Sequence, residues 1–222
     1  MTVCSAKIKG IIKYLAKYYL EVVIINLTTD IQVPVVAAIL LDHTGLGPAV
    51  SIGLKCDFDI ESAIIGAIEE AHHSRPWMRQ VFSFRKEVDG LKKISSFEER
   101  AMFWFPVSMI NKLDFWIKSE KKVSFKKLKT FRGSSIEKLK MVIHVLKNKV
   151  DDIFFIDVTP REVKQTGFYT VKVIIPSLQP LYLDEEFPYL GGHRLYSVPK
   201  LLGLTREETK ENQLNQLPHP FL

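Results

Sequence analysis

The sequence predicts an α/β fold of mixed sheets with packed helices. Three observations carry that reading: β-branched apolar runs at 21–27, 33–41 and 153–158, amphipathic stripes at helical spacing between them, and capping residues where the stripes begin. With 222 residues, 46% of them hydrophobic and 25% charged, the chain suits one substantial domain or two small ones and excludes disorder. The expected division is a domain over 1–204, followed by a polar segment and proline-rich tail over 205–222.

Each element follows in order. Ile8, Ile11, Ile12, Leu15 and Tyr19 form a helical stripe within 6–20. Residues 21–27 read as a buried strand ending at Thr28, Thr29 and Asp30. Residues 33–41 read as a second strand, with Pro34 at its start where no ladder donor is needed. Gly45, Gly47 and Pro48 break the chain before a short segment at 49–54. Asp57 and Asp59 are candidate N-caps for a helix with buried face Ala63, Ile64, Ala67, Ile68 and Ala71. That helix is expected to stop before Pro76.

Capping-box pairs mark three later helix starts: Ser96 with Glu99, Ser134 with Glu137, and Thr205 with Glu208. The second is clearest, because Ile136, Leu139, Ile143, Leu146 and Val150 keep the three-four spacing. A strand at 153–158, a short helix opened by Pro160 and closed by Gly167, and a strand at 168–175 come next. Residues 147–176 echo 18–40: in both, a strand ends in an acid or amide, then Leu or Val, then Thr, and a second strand follows. This pattern suggests an internal duplication. Two prolines around His219 favour an extended C-terminus.

Charge and cysteine content narrow the function classes. Lys and Arg exceed Asp and Glu by 6, and the excess is local: residues 111–150 hold 12 Lys and Arg against 3 acids. A patch for an anionic partner or a solvated lysine-rich surface would both give this pattern, and no RNA-binding signature accompanies it, so a nucleic acid is not the expected partner. Cys4 and Cys56 make no disulfide framework. No apolar run approaches the roughly 20 residues of a bilayer span, and residues 1–10 lack a secretory signal. A cytoplasmic, reduced protein without a membrane partner is expected.

Glu69, Glu70, His72 and His73 share one helix. Glu70 lies three residues and Glu69 four residues before His73, so either pair shares a face and could hold a divalent ion or act as an acid/base pair. Surface or capping groups are the alternative. A ferritin-like di-iron centre needs Glu-x-x-His on each of two helices, and the chain has it once. It also lacks a His-Glu-x-x-His zinc motif, a phosphate-binding Gly-x-x-x-x-Gly-Lys loop and a Gly-x-Ser-x-Gly elbow.

Five segments taken in order resemble the YcaO family. Residues 45–80 are similar to its Gly-rich turn leading to an Asp-x-Glu-x-Ala helix that carries Ala-x-x-Glu-x-x-Gln-Ser-Arg. Residues 27–42 look like the stretch before that turn, and 151–181 like the late strand, Thr-Pro turn and Val-rich strand. Residues 188–204 resemble the segment that follows, and 215–222 the proline-rich end of azoline-forming members.

The resemblance implies a YcaO-like fold present as its C-terminal portion, and an ATP- and Mg-dependent cyclodehydratase. In that branch a Cys, Ser or Thr of a ribosomal precursor peptide attacks the preceding carbonyl. Phosphorylation of the amide oxygen then lets an azoline form. Carried over by position, Glu70 and His73 are the metal ligands, Arg75 and Arg194 contact the nucleotide, and Pro218, His219 and Pro220 form a catalytic tail folding back toward the Glu70 helix. Implied partners are the precursor peptide, a leader-peptide-binding protein and a polypeptide supplying the N-terminal half of the nucleotide site. Self-association is also compatible.

The chain departs from the family pattern at several points. His73 replaces Gln, Glu99-Arg100 stand where Asp-His is usual, and Leu222 replaces a final proline. The family's earlier Ser-x-x-x-Glu-x-x-Glu-Arg helix has no counterpart. Two other readings follow: a catalytically inactive scaffold or docking subunit, and a thioamide-forming component.

Overall fold

The computed structural model describes residues 5–84, 94–124 and 130–222, which form two compact units. Unit 1 comprises Met1–Lys138, Tyr182–Pro188 and Asn215–Leu222, and unit 2 comprises Leu139–Leu181 and Tyr189–Leu214. Part of the basic segment, Phe125, Lys126, Lys127 and Lys129, lies outside the described residues, as does Cys4. Among the described residues, no helix is long and apolar enough to cross a membrane.

Unit 1 is built on an antiparallel meander of β1 (Leu20–Asn26), β2 (Val35–Asp42) and β3 (Val50–Cys56). The central strand is apolar along almost its whole length because both its faces are covered. Val36, Ala38 and Leu40 pack against α1 (Ala6–Ala16) and α2 (Ile60–Phe84). Their alternates Ala37, Ile39 and Leu41 pack on the other face with Trp104, Ile110 and Leu113. Trp104 ends α3 (Phe97–Trp104), while Ile110 and Leu113 belong to a 3₁₀ helix, Val107–Leu113, that leads into α4 (Asp114–Ile117). Each fully buried Leu or Ile in these two clusters contributes about 1.5–3 kcal/mol. The sheet therefore separates two cores, and what lies on one face does not meet the other.

Several boundaries differ from the sequence expectations for local reasons. The first helix stops at Ala16, four residues early, and Tyr19 takes a left-handed φ of 59° that turns the chain into β1. The helix from Ile60 does not stop before Pro76 but runs through it to Phe84. Pro76 is on the exposed side, so the helical bond it cannot make is lost where water can replace it, while Met78 and Val81 continue the buried stripe. Strand β3 and α2 approach closely at Gly53, where a Cβ would stand 2.2 Å from the Ala67 carbonyl oxygen. Only glycine fits there.

Of the three capping boxes, one forms in full and one in half. The Glu99 N–H donates to Ser96 Oγ at 3.2 Å, and the Glu99 carboxylate receives the neighbouring Ser95 N–H at 2.8 Å. At the start of α5 (Ser135–Leu146) the Ser134 N–H donates to Glu137 at 2.7 Å and the Glu137 N–H to Ser134 Oγ at 3.4 Å. The third fails: Thr205 Oγ1 donates to the Glu207 carbonyl at 2.6 Å, and the chain makes turns and a 3₁₀ helix at Glu211–Gln213. No apolar stripe follows Thr205, so a helix there would have no face to bury.

Unit 2 carries an antiparallel hairpin of β4 (Phe154–Asp157) and β5 (Val171–Ile174), with α6 (Arg161–Gln165) in the connection, and a later helix α7 (His193–Leu201). The echo between 18–40 and 147–176 extends to individual hydrogen bonds. In the first copy Thr28 gives its N–H and hydroxyl to Asn26 Oδ1 (3.2 and 2.6 Å), Val35 N–H donates to Thr28 Oγ1 (3.1 Å), and Leu27 N–H to the Val35 carbonyl (2.8 Å). In the second, Thr159 gives the same two donors to Asp157 Oδ1, Thr170 N–H donates to Thr159 Oγ1 (2.8 Å), and Val158 N–H to the Thr170 carbonyl (2.9 Å). The two hairpins are equivalent at their closing ends.

Candidate functional site

Helix α2 carries the residues singled out in the sequence, but it spreads them over different sides. Glu70 is exposed and faces the edge of β3, where its Oε2 accepts the Leu54 N–H at 2.9 Å. It thereby satisfies a backbone donor on an outer strand and keeps a second oxygen available. His73, also exposed, borders an open hollow of about 470 Å³ with Lys7, Tyr14, Glu69 and His72. Glu70 does not line that hollow. Among the described residues no three His, Cys, Asp or Glu side chains gather as a metal site.

A second hollow, of about 520 Å³, lies on the same side of α2 as His72 and is bordered by Tyr14, Tyr18, Asp42, Arg75 and Arg79. Arg75 is buried, and three of its N–H groups are taken within the protein. Nη1 donates to the Pro48 carbonyl at 2.8 Å and to Ser51 Oγ at 3.0 Å, and Nη2 donates to Asp42 Oδ2 at 2.8 Å. This network ties α2 to the turn between β2 and β3. Burial works against the Asp42 carboxylate, but hydrogen bonds from Thr44 and the Arg75 charge outweigh it and hold its pKa below the ordinary value. Burial likewise lowers the pKa of Arg75, against the support of Asp42. Arg79 converges on the same turn, and a Cβ on Gly47 would stand 3.0 Å from Arg79 Nη2 and 3.1 Å from Arg75 Nη2. Two guanidinium groups thus meet at a turn that a side chain would crowd, with the Asp42 carboxylate neutralising Arg75 and leaving Arg79 as the exposed cation of the wall.

The C-terminal tail is extended, as its prolines dictate, but it does not fold back toward the Glu70 and His73 helix. It packs on the opposite face of the sheet, where Phe221 joins the cluster of Trp104, Leu113 and Trp116. Aromatic surface decides this: Phe221 lies beside Trp116 and His219, and His219 meets Tyr182 edge-on. His219 Nε2 donates to the Tyr182 carbonyl at 2.6 Å, while its Nδ1 is buried without a partner. Pro218, His219 and Pro220 border a smaller hollow of about 180 Å³ with Trp104 and Trp116.

Arg100 anchors the tail. It is completely buried, pairs with Glu185, and donates to the His219 carbonyl at 2.8 Å and the Leu183 carbonyl at 2.5 Å. Arg194 sits in α7 of unit 2. Sequence reasoning missed Arg79, Asp42 and the role of Arg100. Arg79 had a signal, since like charges four apart on a helix are unfavourable without a reason. Arg100 had none, because its partners lie 83 to 119 residues away.

Burial pushes the pKa of His219 down. With a folded value below the unfolded one, the contribution of neutral His219 to tail docking is fully present above the ordinary pKa of about 6.5 and is lost as pH falls toward the folded value. Carboxypeptidase should therefore remove the tail faster at pH 5 than at pH 7.5, and His219→Phe should flatten that difference. A pH-independent rate in the unsubstituted chain would contradict this.

The mixed α/β architecture matches that of solved heterocyclases. The structure superposes on a heterocyclase described in complex with substrate and cofactor, with a TM-score of 0.76 and 18% identity, covering 99% of this chain and 27% of that one. It also superposes on the heterocyclase TruD, with a TM-score of 0.71 and 18% identity, covering 99% of this chain and 28% of that one. The model of the YcaO cyclodehydratase family, described as ATP- and Mg2+-binding, matches residues 4–179, and the chain belongs to this family. An uncharacterized protein of Methanothermobacter thermautotrophicus is 26% identical over 190 residues, covering 81% of this chain and 44% of the relative. The chain thus spans less than half the length of that relative.

Proposed function

We propose that the chain is the C-terminal part of an ATP-dependent YcaO cyclodehydratase that converts Cys, Ser or Thr of a ribosomal precursor peptide into azolines. The observation that carries this reading is the family match over residues 4–179. The reaction takes place in the cytoplasm, on a peptide presented by a leader-binding partner, with a further polypeptide supplying the rest of the nucleotide site. ATP supplies a phosphoryl group that turns the amide oxygen, a very poor leaving group, into phosphate.

The residues present fit part of a magnesium nucleotide site. Magnesium is usually held by one or two carboxylates, with phosphates and water completing the shell. Glu70 fits as one such ligand, because it is exposed and uses one carboxylate oxygen on Leu54. His73 is a weaker match for a cation that prefers oxygen. Arg75 borders the arginine-lined hollow with most of its donors committed, so its share in nucleotide binding is to fix the wall that Arg79 completes. Arg194 is proposed as a phosphate contact, whereas His219, between Pro218 and Pro220, is held by the Tyr182 carbonyl on the sheet face away from α2 and carries no proton for this site while the tail is docked there. The scaffold reading draws on the same facts: the arginine is committed and the tail lies on the face away from α2.

Mass spectrometry of a precursor peptide incubated with the complemented enzyme and Mg-ATP tests the proposal. Each azoline removes one water, and the loss should require ATP. Glu70→Gln keeps an acceptor for Leu54 and removes the charge, so it should slow product formation by about 10²–10³ while leaving the melting temperature unchanged. Full activity of this variant would remove Glu70 from the reaction, and an ATP-dependent product containing sulfur in place of oxygen would favour thioamidation.

A further inference from the structure

Gly10 has no explanation inside the fold. It stands in the middle of α1 and is exposed, and glycine is a poor helix former at such a position. Its φ is not left-handed, and a Cβ added to it would meet nothing within 4 Å among the described residues. Gly53 is the contrast, since there the backbone of α2 itself crowds the position. Gly10 borders the open hollow of about 470 Å³ between α1 and α2. The missing side chain enlarges that hollow and lets another backbone come close to α1.

We infer that this hollow seats an extended, uncharged stretch of the precursor peptide, whose backbone lies over Gly10. The chemistry of the hollow selects a peptide. Ile11, Leu15 and Ile68 give it an apolar floor, and its rim carries one fixed charge of each sign, Lys7 on α1 and Glu69 on α2, beside His72 and His73. Lysine donates and glutamate accepts, as an amide backbone requires, whereas a polyphosphate would meet the Glu69 carboxylate with a single lysine to offset it. From Lys7 to Tyr14 the helix rises about 10 Å. That is room for about three residues of extended chain at roughly 3.3 Å each. Tyr14, Leu15 and His72 also border the arginine-lined hollow, so a peptide seated here ends beside the place proposed for the nucleotide. The inference deepens the proposed function and rests on it for the source of the peptide, while the seat itself rests on Gly10 and the hollow.

Titration of the isotopically labelled full chain with acetyl-Ala-Val-Cys-Ile-Ala-amide, followed by amide chemical shifts, tests the seat. Saturable shifts are expected at Gly10, Ile11, Ile68 and His72. Gly10→Leu fills the hollow and should weaken binding by about tenfold or more, the usual consequence of overpacking an occupied site. Gly10→Ala adds one carbon and should fall between. Because nothing crowds that position, both variants should melt at or above the temperature of the unsubstituted chain. Peptide shifts that are absent, unsaturable or confined to other residues would overturn the inference. So would binding indifferent to Gly10→Leu, a lowered melting temperature for Gly10→Leu, or displacement of the peptide from these amides by Mg-ATP. A complemented enzyme that binds the peptide at this hollow but forms no azoline with ATP would overturn the proposed function instead.

Discussion

Replacing Arg100 with alanine should lower the stability of unit 1 by about 3–5 kcal/mol and release the C-terminal tail. The arginine is completely buried and supplies hydrogen to Glu185 and to the carbonyls of Leu183 and His219. Truncation leaves a largely buried carboxylate and two carbonyls without that donor. Glu185→Gln should cost less, because its side chain is 21% exposed and an amide oxygen still accepts from Arg100. Arg100→Lys should fall between, since one ammonium cannot spread over three separated acceptors as a planar guanidinium does. Urea titration gives the stabilities, and carboxypeptidase sensitivity reports the tail. If Arg100→Ala unfolded at the same urea concentration as the unsubstituted chain, the anchor would be an incidental contact.

The contrast between Arg100 and β2 shows which parts of this protein could be read in its sequence. β2 was legible because burial on both faces writes a continuous apolar run, and α2 because one buried stripe repeats at helical spacing. The capping boxes at Ser96 and Ser134 were legible for the same local reason, their partners lying three residues away. Thr205 shows the limit of that signal: the pattern is present, but a helix needs a face to bury. Pro76 shows another, since a proline on an exposed side loses a bond that water replaces. The candidate site was legible only where family residues mark it. Whether Arg75 faces a ligand or its own protein depends on Asp42, 33 residues away, and on Ser51, and no spacing rule contains that information. The course of the tail was likewise decided by aromatic neighbours brought from distant parts of the chain.

The chain alone should turn over Mg-ATP at a rate at least about 10²–10³ below that of the complemented enzyme. Phosphoryl transfer is accelerated almost entirely by positioning and by charge placed against the phosphate oxygens. Here Glu70 offers one carboxylate to a metal, and among the described residues no third His, Cys, Asp or Glu closes a site around it. The guanidinium of Arg75 already spends three N–H groups on Pro48, Ser51 and Asp42, so it cannot also enclose a phosphate without breaking the bonds that hold α2 to its neighbouring turn. Arg79 remains at the hollow's wall, and a single exposed cation in water is worth little. Phosphate release would be followed for the isolated chain and for the complex, each with and without magnesium, and each repeated with Glu70→Gln. Isolated chain that matched the complex, and lost its activity with Glu70→Gln, would mean that these residues form a complete catalytic site without help. An equally low rate in a stable complex given its peptide would instead favour a docking subunit, in which the committed arginine and the distant tail preserve a fold whose chemistry has been lost.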